Sequence, residues 1–194
     1  MKTSSTPTSP SSSDLSRRRF LKQSSLAVAS AAAVAEFPFV VTGHAAPDES
    51  IRVGLIGCGG RGSGAIRDAL AAAPNVTAVA LADVFEDRMK ACRNGLKKDR
   101  NVDIPDDHCF AGFDAFKKLI ALPDLNYVIL ATPPGFRPPH LRAAIEAGKN
   151  VFMEKPVAVD GPGIRSVIES GEMARQKKLA VVAGTQRRHQ TSYM

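Results

Sequence analysis

The chain has little cysteine, no grouped metal ligands and no long apolar run, and each shortage removes a class of protein. Three cysteines, Cys58, Cys92 and Cys109, in 194 residues have neither the even count nor the density of a disulfide scaffold, so free thiols are expected. The four histidines do not gather with Cys or Asp at ligand spacing, and one of them, His44, lies in the leading segment; no metal site is expected. A spanning helix needs about 20 consecutive apolar residues. The most apolar stretch, residues 24–35, is shorter, is built largely of Ala, Ser and Val, and is followed by Glu36 and Pro38, so no stable membrane anchor is expected. Excess charge is also scarcer than the total suggests. Of the formal +7, residues 1–45 hold five Lys/Arg against two Asp/Glu, which leaves about four positive charges for the remainder. Lys97, Lys98 and Arg100, like Lys177 and Lys178, are interleaved with acids. That is the pattern of a solvated face, and no nucleic-acid partner is expected.

What is present begins with an address. After a Ser/Thr/Pro-rich start, Ser16-Arg17-Arg18-Arg19-Phe20-Leu21-Lys22 places paired arginines before Phe-Leu-Lys, and the Ala/Ser/Val run follows. This is the twin-arginine export pattern, with small residues at Gly43 and Ala45 offering a cleavage point near Ala45. Residues 1–45 are therefore expected to be a signal peptide read by the twin-arginine export machinery, and the mature protein to be periplasmic or otherwise exported. A basic tail that contains Arg-Arg by chance is the plain alternative, but it has no need of the apolar run or the small-residue exit. An uncleaved membrane anchor is the other.

The most informative stretch is Ile51-Arg-Val-Gly-Leu-Ile-Gly-Cys-Gly-Gly-Arg-Gly62. A short apolar run feeds into Gly57, Gly59 and Gly62 at G-x-G-x-x-G spacing, with residues 51–56 reading as a buried strand and 63–73 as the helix that follows. Gly57 allows the tight turn, Gly59 lets the backbone approach a pyrophosphate, and Gly62 lets helix and strand pack closely. Phosphates then rest on the N–H groups of the helix start, and Cys58, Gly60 and Arg61 complete the loop. An acidic residue is expected about 20 positions on, at the end of the second strand. Asp83 fills that place after the small, β-branched run 75–82. A carboxylate there accepts both ribose hydroxyls and repels a 2′-phosphate, so NAD is favoured over NADP. Arg88, one turn into the next helix, is either a solvated helix charge or a partner for that phosphate.

Beyond Asp83 the apolar pattern alternates between helical and strand periods, as successive βα units do. Helices are expected over 86–97, 114–121, 138–147 and 161–177, the last capped by Asp160 with Pro162 in its first turn. Strands are expected at 109–110, 127–132, 150–153 and 179–184. Six strands with crossover helices suit a doubly wound parallel α/β sheet of the Rossmann kind, in the order 3-2-1-4-5-6. Residues 46–185 form that domain, and 186–194, which carry no stop signal of their own, read as the start of a truncated substrate domain.

Four segments resemble one known family: Gly57-x-Gly-x-x-Gly62; Ala131-Thr-Pro-Pro134 followed by His140; Ala147-Gly-Lys-Asn-Val-Phe-Met-Glu-Lys-Pro156; and Gly184-Thr-Gln-Arg-Arg188. They are similar to the glucose-fructose oxidoreductase, inositol dehydrogenase and rhizopine-catabolism proteins, the Gfo/Idh/MocA family. The resemblance runs from about Ser50 to the C-terminus, and Glu154-Lys155-Pro156 is its most specific part. Asn126 departs from it, where the family often has Asp before the fourth strand.

The resemblance implies a sugar or cyclitol hydroxyl oxidised or reduced with NAD(P), and a second α/β domain that carries the remaining catalytic groups and often the interface of a homo-oligomer. It places Lys155 beside the nicotinamide, where its ammonium steadies a developing alkoxide. Glu154 would orient that lysine or contact the cofactor, Thr132 and Pro133 line the cleft, and Gln186 and Arg187 lie at its edge. His140 is either a contact near the nicotinamide or an ordinary first-turn helix residue; His189 reads as a surface residue. Read without the family, Glu-Lys is a common exposed pair. Three functions remain open: an exported NAD-dependent oxidoreductase of sugars or cyclitols, a redox-cycling glycosidase that recovers its hydride in each turnover, and a nucleotide-binding fragment without catalysis.

Overall fold

Ile51–Ile56 forms β1, the centre of a parallel sheet, hydrogen-bonded to β2 (Val76–Asp83) on one side and to β4 (Tyr127–Leu130) on the other. The computed structural model describes residues 50–193; the expected signal peptide lies outside the described residues. β3 (Cys109–Ala111) pairs with β2, and β5 (Asn150–Glu154) and β6 (Val181–Gly184) extend the other flank. The order is β3-β2-β1-β4-β5-β6, as the sequence predicts.

Successive side chains of a strand point to opposite faces, and a sheet of this kind must be covered on both. Val53, Leu55, Leu81 and Ile129 meet Ala65 and Ile66 of α1 (Gly60–Ala72) and Met89, Cys92 and Leu96 of α2 (Glu86–Arg100). On the opposite face Ile56, Ala82, Leu130, Val151 and Met153 join a second core. It receives Leu119 of α3 (Ala115–Ile120), Leu141 and Ile145 of α4 (Arg137–Glu146) and Ala174 of α5 (Gly161–Gln176).

The boundaries that moved have local causes. α1 starts at Gly60 instead of residue 63, because Gly59 takes an extended conformation and serves as N-cap, leaving the glycine pair inside the first turn. β4 stops at Leu130; Ala131 still donates to Ile56 O at 2.8 Å, but Pro133 has no N–H with which to continue the ladder. β6 starts at Val181, since the N–H of Ala180 is taken by the Asn150 side chain at 2.9 Å. α2 runs to Arg100 and ends where Asn101 turns left-handed at φ 55. Asp160 caps α5 as expected, accepting from Gly163 N at 2.7 Å. Past β6 the chain makes two short 3-10 turns, Gln186–His189 and Thr191–Tyr193.

Candidate dinucleotide site

A cleft of about 560 Å³ opens at the C-terminal ends of β1, β2 and β4, and its floor is the loop between β1 and α1. Gly57 turns there with φ +98, and a Cβ on it would stand 2.7 Å from the Ala131 carbonyl carbon. A Cβ on Gly62 would stand 1.8 Å from Gly57 O, so loop and helix meet at a distance only glycine permits. Gly59 and Gly60 have no atom within 4 Å of the same position. That stretch is open backbone, and it leads into a helix start with no side-chain cap and no acid in its first turn. Its N–H groups and the helix dipole suit an anion.

Asp83 closes the loop from β2. Its Oδ2 accepts the Cys58 N–H at 2.6 Å and its Oδ1 accepts the Phe85 N–H at 2.9 Å. A carboxylate has about four lone-pair positions, so two backbone bonds leave room for ribose hydroxyls, and Asp83 lines the cleft. Arg88 is exposed but does more than meet solvent: its guanidinium lies 4.8 Å from the centre of the Phe85 ring, and both line the cleft beside Asp83. Cys58 contributes its backbone alone to that contact. Its thiol is buried and donates to Ala82 O at 3.6 Å, while contact with Cys92 and then burial raise its pKa, so it stays protonated.

Thr132, Pro133 and His140 form a further part of the wall. His140 is a first-turn residue of α4, and it also lines the cleft. Its ring packs 4.2 Å from Phe116 and 6.2 Å from Phe136, with Nδ1 at 3.4 Å from Thr132 Oγ1. It is 8% exposed, and burial pulls its pKa down to about 4, so the imidazole is neutral at pH 7.

Glu154 is 2% exposed and turns toward the glycine loop, where Oε1 takes Arg61 Nε at 2.8 Å and Arg61 Nη2 at 2.5 Å. Its carboxylate thus pairs with Arg61, not with Lys155. Arg61 is half exposed and lines the cleft. Lys155, Gln186 and Arg187 are exposed, follow the ends of β5 and β6, and do not line the cleft. Cys58, Gly62 and Glu154 support the cleft from below or beside it without lining it.

Sequence reasoning missed Arg137. It is 5% exposed and lines the cleft, and its guanidinium reaches three main-chain oxygens: Thr132 O from Nε at 2.8 Å, Glu154 O from Nη1 at 2.6 Å, and Pro156 O from Nη1. A signal was available. An arginine that opens a helix sits at the positive end of the dipole, and one followed by two prolines, as here, needs acceptors elsewhere.

The cleft fits a dinucleotide on its own geometry. Gly59 and Gly60 leave the backbone open to a pyrophosphate, Asp83 is placed for a ribose, and the charged residues on the wall are three arginines, Arg61, Arg88 and Arg137, against one carboxylate.

Comparison with known proteins agrees. Residues 51–185 match the GFO_IDH_MocA model, described as an oxidoreductase family with an NAD-binding Rossmann fold. An inositol 2-dehydrogenase/D-chiro-inositol 3-dehydrogenase from Shouchella clausii is 32% identical over 145 residues, which are 75% of this chain and 38% of that protein. A glycosyl hydrolase family 109 protein from Streptomyces coelicolor is 30% identical over 131 residues, 67% of this chain and 27% of that protein. The scyllo-inositol dehydrogenase of Lactobacillus casei, solved with NAD(H) and scyllo-inositol, shares the fold at TM-score 0.60 and 24% identity, over 75% of this chain and 39% of its own. The chain therefore spans well under half the length of these relatives.

Proposed function

Because the chain belongs to the Gfo/Idh/MocA oxidoreductase family with its NAD-binding Rossmann fold, we propose that it is the nucleotide-binding part of an exported enzyme that moves a hydride between NAD and a sugar or cyclitol hydroxyl. The observation that carries this reading is the cleft itself, in which an open glycine floor, Asp83 and the Thr132–His140 wall converge on the C-terminal edge of one sheet. Bound there, NAD supplies the two-electron acceptor.

The residues of this chain bind and orient. The α1 start and Arg61 hold the pyrophosphate, Asp83 the adenosine ribose, and neutral His140 with Thr132 the nicotinamide end. Lys155 donates a hydrogen bond to the substrate oxygen and stabilises negative charge as it forms there. The substrate is held largely by a second domain of the longer protein, which also carries the subunit interface.

A second reading, a redox-cycling glycosidase, is favoured by the glycosyl hydrolase family 109 relative and by the export pattern at Arg17-Arg18. Twin-arginine export carries folded proteins, so cofactor loaded in the cytoplasm would cross with the protein and be regenerated in place.

The test is to denature protein purified from an export-competent host and identify the released nucleotide by mass spectrometry. Stoichiometric NAD(H) is expected; protein that arrives empty and fails to bind added NAD or NADP overturns the reading and leaves a non-catalytic fragment. Net reduction of NAD during turnover on a glycoside would remove the second reading. Replacing Arg17 and Arg18 together with Lys should hold the protein in the cytoplasm, and unchanged export would remove the leader assignment.

A further inference from the structure

Arg137 has a role that neither the glycine motif nor the Glu154-Lys155-Pro156 segment assigns. The residue is 5% exposed, yet the carboxylate whose charge acts on it, that of Glu154, is committed to Arg61. Burial lowers its pKa and the Glu154 charge opposes that shift; the guanidinium stays charged in any case. A buried charge is costly unless its donors are satisfied, and here main-chain carbonyls satisfy them. Nε donates to Thr132 O, where the chain leaves β4, and Nη1 donates to Glu154 O and Pro156 O, on either side of Lys155. One planar fork thus spans two adjacent strand ends and brackets the residue between them.

We propose that Arg137 is the positioning residue for Lys155. It fixes the main chain at residues 154 and 156 against the Thr132 wall, so that Lys155 leaves the sheet edge at a set angle to the nicotinamide end of the cleft. This rests on reading the cleft as a dinucleotide site. The role belongs to an arginine. Lysine is a point donor without the rigid fork, and methionine keeps the apolar stem but donates nothing. None of these contacts lies at the adenosine end, where Asp83 and Phe85 stand. The loss should therefore fall on one half of the ligand.

The experiment uses the full chain with two probes, ADP-ribose, which lacks the nicotinamide, and NADH. Each is titrated into wild type, R137K and R137M, and acylation of Lys155 is read by peptide mass spectrometry with and without NADH. Wild type should bind both probes, and NADH should shield Lys155. In R137M, ADP-ribose affinity should stay within about twofold while NADH affinity falls about tenfold, the scale of one charge-assisted hydrogen bond, and Lys155 should lose its shielding. R137K should recover part of both. If R137M binds NADH as wild type does and Lys155 remains shielded, the proposal is overturned. It is equally overturned if both probes weaken by the same factor, since Arg137 would then serve the fold alone. Failure of wild type to bind ADP-ribose would instead overturn the dinucleotide reading on which the proposal rests.

Discussion

Asp83 and Cys58, 25 residues apart, are joined by a 2.6 Å hydrogen bond from the Cys58 N–H to Oδ2. The residue expected to read the ribose therefore also holds the glycine loop in place. Asp83→Ser should weaken NAD by about tenfold or more, and NADP by less, because the repulsion toward a 2′-phosphate goes with the carboxylate. Fluorescence titration with NADH and NADPH measures both. Equal losses would reduce Asp83 to a loop tie.

Two glycines of one motif should behave oppositely. Gly62→Ala forces a methyl against Gly57 O and should cost about 3 kcal/mol of stability. Gly59 has a φ of −65 and open space around it, so Gly59→Ala should cost only the poorer N-cap, about 1 kcal/mol or less, while weakening NADH about tenfold. Denaturant unfolding beside a binding titration separates them, and a stability loss at Gly59 as large as that at Gly62 would contradict the open floor.

The Arg61–Glu154 pair joins the glycine loop to the end of β5. Arg61→Met strands a carboxylate that is 2% exposed and should cost about 2 kcal/mol, less than a fully buried pair because the guanidinium is half in solvent. Adding Glu154→Gln should restore most of the loss. A double-mutant cycle by urea unfolding gives the coupling, and additive effects would show that the pair contributes nothing.

His140 sets a pH dependence. Its folded pKa is drawn down to about 4 by burial, below the ordinary value of about 6.5. The unfolded chain therefore binds a proton that the folded one refuses. Stability is full well above pH 6.5 and declines as pH falls toward 4, by about 3 kcal/mol. Melting followed across that range should show the decline, and His140→Phe should flatten it. An unchanged slope would place the titration elsewhere.

The sheet order was readable because the strands are short apolar runs with Gly, Asp or Pro at or within a few residues of their ends, and the G-x-G-x-x-G spacing with Asp83 located the cleft. Side-chain pairings that cross between elements were not readable. The resemblance implied that Glu154 either orients Lys155 or contacts the cofactor. Glu154 is the last residue of β5 and meets Arg61, 93 residues away, while Lys155 lies beyond the strand and is exposed. Arg137 escaped notice because its acceptors are main-chain oxygens, which leave no mark in composition. Gln186 and Arg187 follow the flanking strand β6, separated from β1 and its glycine loop by both β4 and β5, a distance that sequence spacing does not report.

The open stretch at Gly59 and Gly60 carries an evolutionary consequence. A surface made only of main chain offers substitution nothing to adjust by degrees: an added side chain either occupies the ligand's place or leaves the amide groups as they were. The middle of the ligand is thus met by a contact that drift cannot tune. New preferences must be written elsewhere on the wall, around Phe85 and Arg88 or around Thr132 and His140, where side chains can be exchanged singly without disturbing the hold on the phosphates.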